Sequence, residues 1–269
     1  MTLLVVGASG QLGGEVVRRA LAAGERVVGT YHSTPGGDAA VEWVRLDLRD
    51  GAAVRGLVGR VRPGCVVNSA YAYAEWAVTA DGAAAVAAAA VDADARLVHL
   101  SSDAVHGGRP EPYGDDEPPS PVFPYGAAKA AAETAVRAVH PGAAVVRASL
   151  IVGDERSNQV RQCLAALAGR GALYADDVRC PVDAGDLADA VLELAASDYA
   201  GTLNAGGPDA VSRADLGRLV AGRYGLEPAD LATTTIAGSG RPAEIRLDCG
   251  RAAALLTTRL RGVREVLAG

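Results

Sequence analysis

The sequence predicts an α/β chain built on a doubly wound parallel sheet, with a smaller C-terminal lobe on the substrate side. Three observations carry this. Short β-branched runs alternate with stretches of helical length, as parallel crossovers require. The runs are continuously apolar rather than alternating, so helices are expected on both faces of the sheet. The 269 residues, 49% hydrophobic and 22% charged, can bury one large core with an appendage.

"TLLVVG" reads as the first strand and Gly14 to Ala23 as the helix after it; "RVVGTY", "VEWVRLD", "CVVN", "RLVHLS" and "AAVVRAS" supply five further strands. Asp81 to Ala93 is biased to alanine, the strongest helix former, and fits a crossover helix. The run from Gly107 to Pro124 is too long and too rich in Pro and Gly for an ordinary connection, and reads as a lid or binding loop. After Arg147 the pattern loosens. "QVRQCLAALAGRG" and "DAGDLADAVLELAAS" are helical in period, "GTLNAGG" is a short strand, and "SRADLGRLVAGRYG" opens at a serine N-cap. Residues 1–150 are thus expected to form a nucleotide-binding and catalytic domain. Residues 151–269 form a smaller lobe, interleaved with it and unable to fold alone.

A net charge of −6 and a pI near 5.3 give no basic footprint for nucleic acid or anionic lipid. The start "MTLLVVGASG" has no basic n-region and too short an apolar run for a signal peptide or membrane span, so cytoplasm is the expected location. Cys65, Cys163, Cys180 and Cys249 show neither disulfide nor zinc spacing and read as packing residues; no metal site is expected.

Gly7, Gly10 and Gly13 form a GxxGxxG directly after the first strand and at the start of the first helix. Such glycines let backbone N–H groups approach a pyrophosphate at a helix N-terminus; the alternative is a tight turn alone. Ser9, Gln11 and Leu12 lie within the same turn. The second strand ends at Thr30, Tyr31, His32 and Ser33 without the carboxylate that usually holds the ribose hydroxyls of NAD. This favours NADP and leaves NAD open. Asp47, beside Leu48, either accepts from the adenine amino group or caps the next helix. Asn68, followed by Ser69 and Ala70, either lines the cofactor or caps a turn. Glu75 and Trp76 either line the pocket or begin a crossover helix.

Of the 26 Lys and Arg residues only Lys129 is lysine, and it stands four positions after Tyr125 on one helix face. A phenol with pKa near 10 needs a nearby cation to work at neutral pH, and a compact ammonium can serve both it and a cofactor ribose. Ser102, with Ser101 ranked second, follows the fifth strand at the edge where open sheets bind ligands.

The glycine turn, the serine and the YxxxK together resemble the short-chain dehydrogenase/reductase superfamily. "GASGQLGGEV", "LSSDAVHGG", "PYGAAKAAAE" and "DVRCPVDAGDLADAV" are similar to its extended branch, of dTDP-4-dehydrorhamnose reductase type, from Thr2 to about Leu267. The resemblance implies a Rossmann sheet and catalysis by Ser102, Tyr125 and Lys129, the last two also touching the cofactor. The implied reaction is NAD(P)H-dependent reduction of a keto group on a nucleotide-linked deoxysugar. It places Asp103, His106, Leu150 and Arg179 beside Ser102 on the substrate. Where the family tends to carry "TDYVFDG" this chain has "SDAVHGG", replacing two aromatics by Ala104 and His106, and Leu150 replaces a third. Arg179 either contacts a diphosphate or pairs with Asp176, Asp177 or Asp183. His106 is either an acid–base group or an ordinary loop histidine. A nucleotide-sugar epimerase or dehydratase and a non-catalytic NADP-binding subunit are the alternatives; no Glu follows Asp103 to make a dehydratase pair. A homodimer is compatible with the sequence.

Overall fold

Seven of the apolar runs pair in parallel in the computed structural model, which describes residues 2–228 and 231–268. They are β1 (Thr2–Val6), β2 (Arg26–Tyr31), β3 (Glu42–Arg45), β4 (Cys65–Asn68), β5 (Arg96–Ser102), β6 (Ala144–Ala148) and β7 (Gly201–Ala205). Their spatial order is 7-6-5-4-1-2-3. The helices that matter below are α1 (Gln11–Ala22), α2 (Gly51–Val61), α3 (Gly82–Asp92), α4 (Pro124–Val139), α5 (Asn158–Leu167), α6 (Ala184–Ala195) and α7 (Arg213–Arg223).

Successive strand residues face opposite sides of a sheet, and here both sides are apolar. Leu3, Val5, Val98 and Val146 pack with Val16 and Ala20 of α1 and Leu187 and Val191 of α6. Leu4, Val66, Leu97 and Val145 pack on the other face with Leu57 of α2, Val86 of α3 and Val136 of α4. Each such side chain contributes about 1.5–3 kcal/mol by leaving water. The doubly wound sheet predicted from continuous apolar runs is therefore what the chain forms. A third core, including Val160 and Cys163 of α5 and Leu216 and Val220 of α7, gathers apolar residues from the part of the chain where the lobe is expected. Helix α6 and strand β7 nevertheless return to the main sheet, where Thr202 pairs with Val145.

Strand order reverses between β1 and β4, and ligand crevices in open sheets lie at such a switch, at the carboxyl ends of the strands. Gly7, Asn68 and Ser102 lie at that edge. The Gly107–Pro124 run carries a short strand, Arg109–Tyr113, paired with Ile245–Leu247 of the lobe. It is also fixed to the core: Arg147 donates to the carbonyls of Asp115 at 3.2 Å and Glu117 at 3.0 Å. The Asp115 carboxylate accepts from the Asn204 N–H at 2.6 Å. A run tied at these points is not free to swing as a whole.

Candidate active site

The glycine turn owes its shape to the absence of side chains. Gly7 has φ of +84°, and a Cβ there would sit 2.8 Å from the Ala70 nitrogen. A Cβ on Gly13 would lie 2.2 Å from the Gly7 carbonyl oxygen, so this glycine lets α1 close on β1. The Thr30 hydroxyl accepts from the Gly7 N–H at 3.1 Å and is buried. A cleft of about 660 Å³ opens at this turn, lined by Ser9, Gly10 and Gln11, by Asp38 and Trp43, and by Tyr71 and Arg156. Gln11 holds its side-chain nitrogen buried there without a partner. A free buried donor at a helix N-terminus is suited to an anionic ligand. Leu12 turns away into the core beneath α1.

Beyond β2, Tyr31 is half-buried and His32 and Ser33 are exposed. Arg45, at the end of β3, donates to the His32 carbonyl at 3.2 Å and places a guanidinium at the end of β2. The residues that end β2 do not show this cation, because Arg45 arrives from the neighbouring strand. Asp47 is held by Arg49 in a two-nitrogen contact at 2.6–3.1 Å, which keeps its carboxyl well below the ordinary range. It does not cap α2; Asp50 does, accepting from the Ala53 N–H. Leu48 is buried. Asn68 is buried with its amide nitrogen 3.3 Å from His99 Nδ1, Ser69 donates to the Val6 carbonyl at 3.0 Å, and Ala70 packs on Gly7. Trp76 precedes the helical turn Ala77–Asp81 that leads into α3, and Glu75 pairs with Arg49 at 3.5 Å.

Helix α4 begins with Pro124 in its first turn and carries Tyr125, Lys129 and Glu133 along one face. A Cβ on Gly126 would lie 2.1 Å from the Ala104 carbonyl oxygen, so this glycine brings α4 against the segment after Ser102. Ser102 lies beside the Tyr125 phenol. Burial, with Tyr71 next in weight, pushes the phenol above its ordinary range, and the Ser102 contact works against that rise. Lys129, 2% exposed, donates to the Leu100 carbonyl at 2.8 Å and lies 5.2 Å from the centre of the Tyr71 ring. Burial pushes its ammonium down to about 8, while the Glu133 carboxylate raises it. The phenol thus stays protonated at neutral pH, where sequence reasoning expected the ammonium to favour its phenolate. Ser101 turns the other way and donates to Glu133.

Asp103 is buried, accepts from Ser102 at 3.2 Å and Ser149 at 2.7 Å, and has its carboxyl raised, mainly by burial. Arg179 is buried beside Asp177 at 2.7 Å and Asp103 at 3.8 Å, and donates to the carbonyls of Val178, Pro242 and Ala243. Its guanidinium is engaged within the protein on both sides. His106 is fully buried, stacks on Tyr113 at 3.9 Å, and is pushed down to about 4, first by burial and then by Arg147. Leu150 joins the lobe core. Ser102 therefore adjoins Tyr125, with Asp103 behind it, and Lys129 follows one turn along α4, in contact with the same Tyr71 ring as Tyr125; Arg179 is engaged by internal contacts, and His106 is stacked on Tyr113 with both ring nitrogens buried and unpartnered.

A family model, the RmlD substrate binding domain, matches residues 1–269. The chain belongs to this family. A probable low-salt glycan biosynthesis reductase of Haloferax volcanii is 32% identical over 263 residues, covering 90% of this chain and 87% of the relative. The dTDP-4-dehydrorhamnose reductase of Mycobacterium tuberculosis is 31% identical over 261 residues, covering 90% and 81%. The Bacillus anthracis dTDP-4-dehydrorhamnose reductase, solved in complex with NADP, superposes with a TM-score of 0.81 at 21% identity, covering 99% of this chain and 97% of that one. RmlD membership agrees with the resemblance read from the glycine turn and the YxxxK.

Proposed function

We propose that this RmlD-family chain is an NADPH-dependent reductase of a keto group on a nucleotide-linked deoxysugar. The observation that carries the reading is Ser102 beside Tyr125 at the carboxyl edge of the sheet, with Lys129 one turn along the same helix face and its ammonium on the Leu100 carbonyl of β5. The names of the curated relatives support it. The cleft at Ser9 to Gln11, with its unpartnered Gln11 donor, fits a dinucleotide diphosphate. His32, Ser33 and Arg45 suit a 2′-phosphate, and the second strand ends without the carboxylate that would repel it. The bound nicotinamide supplies the hydride to the carbonyl carbon.

The protein supplies the rest. Ser102 donates a hydrogen bond to the carbonyl oxygen and holds it against the phenol. Tyr125, kept neutral by its buried setting, gives its proton to that oxygen as it gains charge. Lys129 steadies the phenolate left behind until water protonates it again. The Ala104 N–H, which donates to the Ser102 oxygen at 3.2 Å, holds that hydroxyl in place while its single proton turns from Asp103 to the substrate. Four free thiols, those of Cys65, Cys163 and Cys180 buried and that of Cys249 partly so, agree with a reducing compartment, and we assign the chain to the cytoplasm.

The test is NADPH consumption against a panel of nucleotide-linked keto sugars. Oxidation matched by alcohol formation on a dTDP-linked 4-keto-6-deoxyhexose is expected. No consumption with any of them, with tightly held NAD co-purifying, would replace this reading by an epimerase.

A further inference from the structure

Of the eleven aromatic residues, two Trp, eight Tyr and one Phe, four meet at the catalytic phenol. The Tyr73 ring stacks on the Tyr125 ring, 4.7 Å between centroids and 17° between planes. Tyr71 is tilted against Tyr125 at 5.7 Å, and Phe123 at 6.2 Å. Tyr71 and Tyr73 are nonetheless 56% and 58% exposed. Hydrophobic packing alone does not account for rings left this open. Tyr73 spends one face on Tyr125 and turns much of its surface outward, beside the hydroxyl that meets the substrate carbonyl.

The ring on the other side of that carbonyl is a sugar. A 6-deoxy sugar has one apolar face of C–H groups and a methyl in place of a hydroxymethyl, the surface an aromatic ring accepts best. The segment after Ser102 offers no ring for this purpose: Ala104 is small and His106 is buried under Tyr113. The aromatic wall therefore comes from the loop after β4. Tyr71 is near both Lys129 and Tyr125 and also lines the cleft that begins at Ser9.

We propose that Tyr73 is a specificity-determining residue that receives the apolar face of the deoxysugar ring, with Tyr71 closing the wall between it and the dinucleotide cleft. This rests on the keto-sugar reading above. Tyr73 acts in binding the sugar and not in moving the proton, so its loss is read in KM for the sugar and leaves kcat and the cofactor largely alone.

The experiment compares the parent with Tyr73→Ala and Tyr73→Phe, using NADPH and a dTDP-linked 4-keto-6-deoxyhexose. Tyr73→Ala should raise the sugar KM about tenfold, the worth of one aromatic contact. Its kcat and its KM for NADPH should stay near the parent values, and Tyr73→Phe should behave as the parent. An unchanged sugar KM in Tyr73→Ala would overturn the proposal. So would a fall in kcat at constant KM, which would make Tyr73 a prop for Tyr125 alone. A parallel calorimetric titration of the NADP-loaded proteins with a dTDP-linked 6-deoxyhexose needs no turnover. If the parent reduces no keto sugar, the functional reading fails, and weaker binding to Tyr73→Ala still supports the aromatic seat. Equal affinity, or no binding to either protein, overturns it.

Discussion

The Ser101 hydroxyl donates to the Glu133 carboxylate at 2.6 Å. Strand β5 is thereby tied to α4 one turn beyond Lys129, and the same carboxylate receives both Nε and a terminal nitrogen of Arg147, at 2.9 and 2.8 Å. The pair is 1% and 0% exposed. Removing the carboxylate with Glu133→Ala leaves a buried guanidinium unpaired and should cost about 3–5 kcal/mol of stability. Chemical denaturation measures it; a loss below about 1 kcal/mol would mean that water reaches Arg147.

Tyr125→Phe should leave NADPH affinity within a few-fold of the parent and lower turnover by about a hundredfold or more, the usual worth of a positioned acid. Single-turnover kinetics with the keto sugar reads both quantities. Near-parental turnover would remove the phenol from the reaction.

Gly10 and Gly13 should part company when mutated. Gly10 has φ of −78° and a Cβ there meets only the Gly7 carbonyl, at 3.2 Å, so Gly10→Val should fold and yet fail to bind NADPH. Gly13→Ala forces a Cβ to within 2.2 Å of the same oxygen and should destabilise the chain itself. Thermal melts with and without NADPH separate the two effects; nucleotide-dependent stabilisation of Gly10→Val would show the turn to be only structural.

Arg45→Glu should cut the preference for NADPH over NADH by about tenfold, because a carboxylate replaces the cation beside the proposed 2′-phosphate seat. The ratio of kcat/KM for the two cofactors is the readout, and an unaltered ratio would place the phosphate elsewhere.

Lys129 links the site to pH. Its folded pKa of about 8 lies below that of a free lysine, so the unfolded chain binds the extra proton between these values. Stability from this group should therefore rise as pH climbs from about 8 towards about 10.4. Lys129→Met should flatten that rise. Activity should move oppositely, falling above pH about 8 as the ammonium deprotonates. Lys129→Arg, carrying a bulkier cation that stays charged, should lose the basic limb along with most turnover. Superimposable parent and Lys129→Arg profiles would make the single lysine a coincidence.

The sheet was legible because β-branched runs, glycine punctuation and alanine-rich spacers are local signals, and Ser102, Tyr125 and Lys129 were legible because each has fixed spacing to a strand or helix. What the sequence hid depends on three-dimensional neighbours. Arg45 reaches the end of β2 from another strand, and Gly126 matters only because the Ala104 carbonyl lies 2.1 Å from where its Cβ would be. Arg179 was weighed between a phosphate and an ion pair, and its place beside Asp177 follows from how the lobe packs. Tyr71 and Tyr73 carry no motif at all; only the fold brings them over Tyr125.

A chain with one lysine side chain, buried at the candidate active site, is also a ready-made single-label system. Reductive methylation with isotopic formaldehyde would place a lysine-derived NMR signal at Lys129 and nowhere else along the side chains. Its chemical shift would follow the charge of that amine directly, and its rate of labelling would measure how often the Tyr71 wall opens to solvent.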